Sequence, residues 1–177
     1  MSEAFEVLEK TMLVRQVMAT RSVTLPFSWQ KKASKKLLYL DAGLVNFKNN
    51  LQTQYLKLAD LNDLYRGNIA EQIVGQNILA NAMHQEQQLF YWSKEKPASS
   101  AEVDFCLAHK GKIVGVEVKS GHSGKMKSLA VFAQDVQGAS LIRIYSGEMQ
   151  SEFFSKGSRK KLVSLPFYLV NRLFDFC

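Results

Sequence analysis

Charged side chains with the types and spacing of a metal- or phosphate-binding site occur within residues 101–119. Asp104 lies in a run in which apolar and polar residues alternate, and Glu117 and Lys119 lie in a second such run. Lys110-Gly111 separates the two runs. Alternation of this kind, interrupted by a glycine-containing pair, predicts a β-hairpin.

The hairpin predicts which side chains face each other. A two-residue turn and a four-residue loop give the same register, in which Asp104 lies opposite Glu117 and Glu102 opposite Lys119. Directly opposite residues have Cβ atoms about 5 Å apart, and like charges there are destabilising. Two facing carboxylates therefore require a cation, and hard divalent ions bind carboxylate oxygens. A salt-bridged trio on a solvated strand face accounts for the same pattern.

A third carboxylate, on a helix, is expected to face the interior. We predict one long amphipathic helix from Leu61 to about His84, in which an apolar stripe follows Glu71 at helical spacing. Glu71 then points towards the buried side, where an unpaired carboxylate is costly. It needs a cation, a hydrogen-bond donor or an edge position; a glutamate at the end of the stripe that reaches solvent is the alternative.

The core elements are predicted in the order helix, strand, strand, strand, helix, strand. Their sequence signals are the helix containing Glu71, the strand Leu89–Trp92, the hairpin, a helix with Leu129 and Phe132 on one face, and the strand Leu141–Tyr145. The remaining expectations are an N-terminal helix and a strand within residues 4–23, a short apolar run at 37–40, a polar loop at 93–100 and a C-terminal helix at 166–176.

The composition indicates a globular protein with a polyanionic partner. The chain has 177 residues, 46% of them hydrophobic and 22% charged, and a net charge of +7. Basic clusters suggest salt-dependent contacts with nucleic acid, for which Lys125 and Lys127 are candidates; a solvated surface is the better explanation of any single cluster.

Other classes of protein fit the sequence poorly. No run approaches the roughly 18 apolar residues of a membrane span, and the acidic N-terminal residues do not resemble a signal peptide. The two cysteines do not form a disulfide framework, so we expect a cytoplasmic location. The three histidines are far apart and match no zinc-ligand spacing.

An acidic residue followed on the next strand by Glu-x-Lys resembles the PD-(D/E)xK nuclease superfamily. That resemblance implies a restriction-endonuclease-like α/β fold with a mixed central sheet flanked by helices. It further implies that Asp104 and Glu117 ligate Mg²⁺ or Mn²⁺ and that Glu71 completes the metal site. Lys119 would position the attacking water for hydrolysis of DNA phosphodiesters.

Several motifs in order also resemble the uncharacterised domain found C-terminal to P-loop (AAA+-type) ATPases of bacteria and archaea. They are Lys36 to Leu44, Gly67 with Glu71, Phe90-Tyr91-Trp92, Glu102 to Phe105, Val116 to Gly121, Ser123 to Leu129 and Leu165 to Tyr168.

This second resemblance implies a domain at residues 36–177, preceded at 1–35 by the tail of a winged helix. The chain contains no G-x-x-x-x-G-K-[S/T] motif, so either the ATPase domain lies outside it, as a partner in the full-length protein, or the chain is a stand-alone relative; we expect the former. The alternative to a nuclease is a catalytically silent module of the same fold that binds nucleic acid or a partner and regulates the ATPase.

Overall fold

The computed structural model describes residues 3–48, 67–81, 88–96, 99–121, 126–154 and 160–177. Within them the chain is α/β. The helices are α1 (Glu3–Lys10), α2 (Ala42–Lys48), α3 (Asn68–Asn81), α4 (Lys127–Asp135) and a C-terminal 3₁₀ helix (Phe167–Phe176). The strands are β1 (Val14–Thr20), β2 (Lys36–Tyr39), β3 (Phe90–Lys96), β4 (Ser99–His109), β5 (Lys112–Val118), β6 (Ser140–Tyr145), β7 (Gln150–Phe153) and β8 (Lys161–Pro166).

The strands form one mixed sheet of eight in the order β2-β1-β3-β4-β5-β6-β8-β7. β3, β4 and β5 form an antiparallel meander at its centre. β6 joins β5 in parallel after the crossover through α4, and β1 joins β3 in parallel from the other side. The mixed sheet flanked by helices confirms the coarse fold prediction, and the predicted core order matches α3, β3, β4, β5, α4 and β6.

Both faces of the sheet are covered, so β5 is buried along almost its whole length. On one face Val114, Val116 and Val118 pack in a cluster with residues of α3 and the 3₁₀ helix. On the other face Ile113 packs in a cluster with Leu129 and Phe132 of α4 and their neighbours. Burial on both faces explains why β5 is so rich in valine and isoleucine.

The polar loop predicted at residues 93–100 is wrong. β3 continues to Lys96 and β4 begins at Ser99, and Ser93 pairs with Glu102 in an extended ladder. Ser93 and Lys94 are only half buried and Ser100 is exposed. Because the ladder is held by backbone hydrogen bonds, strands can run past the core without apolar side chains, and the usual alternation is then lost.

Other expectations are met in part. The described part of the predicted 61–84 helix is α3, and residues 61–66 and 82–84 lie outside the described ranges. The C-terminal helix is present but has 3₁₀ geometry. The division at residues 35 and 36 stays a prediction; β1, which precedes it, pairs with both β2 and β3. Of the helices in the described ranges, none has the length and apolar content required to cross a membrane.

Gly115 sets the distance between β5 and α4. A Cβ atom at this position would lie 2.4 Å from Cε1 of Phe132, closer than real contacts allow. We expect Gly115→Ala to lower the free energy of unfolding by about 1–3 kcal/mol, the usual cost of overpacking a core. Urea denaturation measures this change. The double variant Gly115→Ala/Phe132→Leu should be less destabilised than the sum of the single variants, because the smaller side chain makes room; strict additivity would show that the two residues do not contact.

A candidate carboxylate and lysine site

The register predicted for the hairpin is confirmed over five pairs, from Phe105 opposite Val116 to His109 opposite Lys112. The ladder ends there, one step before Asp104. Instead of pairing through its backbone, Asp104 accepts a hydrogen bond at Oδ2 from the backbone N–H of Val118, at 2.7 Å. The carboxylate of Asp104 is thereby held against the end of β5.

A β-bulge in β4 accounts for this change. Phe90 pairs with Cys106 and Trp92 with Val103, so β4 takes three steps where β3 takes two. The extra residue falls in the segment that contains Asp104. Bulges bend a strand and redirect its side chains, and they are common beside active sites.

The bulge overturns both facing pairs predicted beyond Phe105 and Val116, and in the described ladder Asp104 is not paired with Glu117. Glu102 does not pair with Lys119 in the described part of the chain: it pairs with Ser93 on β3, and its carboxylate contacts Lys36 instead. Lys119 forms an ion pair with Glu117, two residues before it on the same strand, at 2.6 Å. Beyond the last ladder pair the simple register no longer determines which side chains meet.

Lys36, at the start of β2, brings three carboxylates together. Its Nζ lies 2.7 Å from Oε1 of Glu102, 3.2 Å from Oε2 of Glu71 and 3.9 Å from Oδ1 of Asp104. Glu71 belongs to the first turn of α3 and the other two to β4. The predicted inward-facing glutamate therefore has a cation as its partner.

Two glutamines of α3 fix the strand that carries Lys36. The side-chain amide of Gln72 accepts from the N–H of Tyr39 at 2.9 Å and donates to the carbonyl of Leu37 at 2.7 Å. Gln76 donates to the carbonyl of Tyr39 at 2.6 Å. These amides satisfy backbone groups on the edge strand β2 and hold it beside α3.

Glu117 is the most deeply buried of these carboxylates, with its side chain 6% exposed. Oε1 contacts the ammonium of Lys119, but Oε2 is buried without a hydrogen-bond partner. Buried polar atoms are nearly always satisfied, so this carboxylate oxygen is available to a water molecule, an ion or another ligand.

The protonation behaviour of the cluster reflects its crowding. Burial, then the negative charges of Glu117 and Glu71, raise the pKa of Asp104 from 3.8 to about 7, although the Val118 hydrogen bond and Lys36 oppose the shift. Burial also raises the pKa of Glu117, against the favourable contact with Lys119. The coupling of Asp104 to Glu117 and Glu71 means that the three carboxylates share one neighbourhood.

The charge of Lys36 is stabilised by the same groups. Burial lowers the pKa of Lys36, but the hydrogen bond to Glu102 and the charges of Glu71 and Asp104 outweigh it, so the net pKa is raised. Lys36 is thus a permanent cation in this site. Its Nζ also lies 5.2 Å from the centroid of the Tyr91 ring, within the range of a cation–π contact.

The cluster opens into a cleft of about 350 Å³ lined by Lys36, Glu71, Gln72, Glu102 and Phe105, with neighbouring residues of β2. The cleft gives solvent access to Glu71 and Glu102, and the neighbouring carboxylates of Asp104 and Glu117 are mostly buried. This combination of an open mouth and buried acidic groups with shifted pKa values is typical of functional sites.

The donor set suits a hard divalent ion, because it consists of carboxylate oxygens and includes the orphaned Oε2 of Glu117. Within the described ranges, however, no group of three or more Asp, Glu, His or Cys side chains is already arranged to hold a metal ion. Three of the carboxylates converge on the ammonium of Lys36 instead.

The predicted site residues differ in where they lie. Glu71, Asp104, Glu117 and Lys119 belong to the cluster. Lys127 is exposed at the first residue of α4, and Lys125 lies outside the described residues. Lys36 and Glu102 were not predicted as site residues; each begins a motif of the second resemblance, but neither motif indicates a role in a site.

The pKa of Asp104 predicts a pH dependence of stability. The folded-state pKa lies above that of the unfolded chain, so between about pH 4 and 7 the folded state holds a proton that the unfolded state has released. Stability is therefore expected to fall as pH rises through this window, by a few kcal/mol at most, since one pKa unit corresponds to about 1.4 kcal/mol. Asp104→Asn keeps the acceptor for Val118 and should lose much less stability between pH 5 and 8, as measured by urea denaturation.

Glu6→Gln, at an exposed position of α1, is the matched control and should behave as the wild type does. If Asp104→Asn and the wild type lose the same stability over this pH range, the carboxyl of Asp104 is not the group responsible.

Comparison with known proteins supplies one match. A family model described as a domain of unknown function (DUF4143) matches residues 66–168, which include all four carboxylates of the cluster and Lys119. No curated protein and no solved structure gives a significant match. Because the matched segment covers more than half of the 177 residues, the chain belongs to the DUF4143 family.

Proposed function

We propose that the chain is a Mg²⁺- or Mn²⁺-dependent nuclease domain that hydrolyses DNA phosphodiesters. The observation that carries the proposal is the convergence of Asp104, Glu117 and Glu71 beside Lys119, with Oε2 of Glu117 buried and unpartnered. The Asp…Glu-x-Lys pattern on adjacent strands supports it, and a mixed sheet flanked by helices is compatible with a restriction-endonuclease-like fold.

In this proposal Asp104 and Glu117 hold the metal ion and Glu71 completes its oxygen ligands. A bound ion would supply an activated water and stabilise the charge that develops on the phosphate oxygens. Asp104 is fixed for this role by the N–H of Val118, and Glu117 by the ammonium of Lys119. Each anchor contacts one oxygen of its carboxylate and leaves the other oxygen able to bind a ligand.

Lys119 is suited to contact the phosphate. Its side chain is 30% exposed, whereas that of Glu117 is 6% exposed, so the ammonium lies between the buried carboxylate and solvent. A cation there can orient a water and neutralise a non-bridging phosphate oxygen. The role requires Lys119 to stay charged while it keeps contact with Glu117.

The DNA contact is proposed for the basic segment before and at the start of α4, which includes Lys125 and Lys127. A cation in the first turn of a helix interacts unfavourably with the helix dipole, so the charge of Lys127 does not stabilise α4. The net charge of +7 supports attraction to a polyanion. An ATPase domain in the full-length protein, as in the proteins that the sequence resembles, remains part of this proposal.

A second candidate is a catalytically silent module that binds nucleic acid or a partner and regulates the ATPase. The ion pairs of Lys36 with Glu71 and Glu102 favour it, because they compensate the carboxylates without any metal. The fold alone does not decide between the two.

Cleavage of supercoiled plasmid in the presence of Mg²⁺ or Mn²⁺ tests the first proposal. Asp104→Ala and Lys119→Met should each reduce the rate by at least about a hundredfold, as expected when a group that stabilises transition-state charge is removed. Glu152→Gln, at an exposed position on the edge strand β7, is the matched control and should cleave as the wild type does.

Cleavage that survives Asp104→Ala would come from a contaminant. Absence of cleavage by the wild type, together with DNA binding that needs no metal, would favour the silent module.

Fluorescence anisotropy with a labelled DNA duplex tests the basic segment. Lys127→Ala should weaken binding and reduce the slope of log K against log salt by about 1, the value expected for loss of one phosphate contact. Lys112→Ala is the matched control. Lys112 is exposed and lies at the opposite end of β5 from Glu117. The two residues are roughly 16 Å apart, since a strand rises about 3.3 Å per residue. Equal salt slopes for Lys127→Ala and the wild type would remove Lys127 from the interface.

A further inference from the structure

Lys36 occupies the place where a cation is most strongly attracted in this site. Its ammonium contacts carboxylates from two elements, Glu71 on α3 and Glu102 and Asp104 on β4. An ammonium group offers three hydrogen-bond donors and no acceptor, so it suits three carboxylates that converge on one point. A divalent ion bound by Asp104 and Glu71 would have to lie close to this ammonium, and like charges at that separation repel strongly.

We propose that Lys36 is an internal counter-ion that competes with the divalent metal, and that Glu102 is the positioning residue that holds Lys36 when the metal is bound. The proposal rests on the metal site proposed above and concerns its regulation. Lys36 would withdraw from Glu71 and Asp104 and remain paired with Glu102 alone. Metal affinity would then be set by the competition between one lysine and one ion for the same oxygens.

The three contacts of Lys36 are unequal in the way that this exchange requires. The contact with Glu102 is the shortest, at 2.7 Å, and the contact with Asp104 the longest, at 3.9 Å. The side chain of Glu102 is 48% exposed and that of Asp104 is 14% exposed. A movement of the ammonium towards Glu102 is therefore a movement towards solvent, where a lysine charge is well hydrated.

The movement needs only the side chain. Gln72 and Gln76 hold the backbone of β2 at Leu37 and Tyr39, so the strand has no reason to shift. The four-carbon stem of lysine rotates freely compared with the fixed fork of arginine. The Tyr91 ring, 5.2 Å from Nζ, provides a further surface for the displaced cation.

Calorimetric titration with MnCl₂ alone tests the competition. Lys36→Met removes the competing charge and should lower the Kd for Mn²⁺ by at least about tenfold, which corresponds to about 1.4 kcal/mol. Lys36→Arg keeps the charge and should bind no more tightly than the wild type. Lys112→Met, at the far end of β5, is the matched control for loss of one lysine charge and should leave the Kd unchanged within about twofold.

Glu102→Gln separates a positioning role from direct ligation. In the wild-type background it should weaken Mn²⁺ binding several-fold, because Lys36 then stays on Glu71 and Asp104; in the Lys36→Met background it should have no effect. Weakening of equal size in both backgrounds would make Glu102 a metal ligand and overturn its proposed role. Since Glu102 is half exposed, Glu102→Gln is expected to fold even if removal of Lys36 proves too destabilising.

A thermal readout without catalysis completes the test. The rise in Tm caused by saturating Mn²⁺ should be larger for Lys36→Met than for the wild type, because binding to the folded state stabilises it by mass action. Equal Kd values for Lys36→Met and the wild type would overturn the competition and leave the metal site standing. Failure of every variant to bind Mn²⁺ would remove the metal site and the competition together.

Discussion

Repulsion among carboxylates is the constraint around which this site is built. The bulge in β4 and the first turn of α3 bring Asp104 and Glu71 to the end of β5, where Glu117 is already buried. Without a cation each carboxylate would raise the cost of ionising the others. Two lysines offset part of this charge: Lys119 forms an ion pair with Glu117, and Lys36 contacts Glu71, Glu102 and Asp104. Through Lys36, β2 is thereby tied electrostatically to α3 and to β4.

The centre of the sheet could be predicted from the sequence because its signals are local. A glycine turn at Lys110-Gly111 fixes the hairpin register, and buried valines on β5 identify a central strand, so the pairing of Phe105 with Val116 follows from residues close together in the chain. The long polar hairpin between Ser93 and Ser100 could not be predicted, because its strands extend beyond the core and show no apolar alternation. The bulge lies further along β4, between Val103 and Cys106, and it decides where Asp104 points.

The candidate site was predictable only in its local members. Asp104, Glu117 and Lys119 follow from the hairpin, and Glu71 from the apolar stripe of α3. Lys36 could not be predicted, since it reaches the cluster through β2, an edge strand placed by the parallel pairing of β1 with β3. That pairing joins segments about 70 residues apart and leaves no periodic signal in the sequence. The lysine that contacts most of the carboxylates therefore lies furthest in sequence from the motif that reveals the site.

In the proposed metal site, the two lysines would differ in how easily a metal ion replaces them. Lys119 lies two residues from Glu117 on the same strand, so its charge stays near that carboxylate whatever its rotamer. Lys36 reaches its partners from another strand, through a flexible stem, and its contact with Asp104 is long, at 3.9 Å. In the proposed metal site, a divalent ion that approaches Asp104 and Glu71 would therefore displace Lys36 at a lower cost than Lys119. The proposed arrangement would separate a fixed cation, suited to phosphate chemistry, from an exchangeable one that keeps the carboxylates in place until a metal binds.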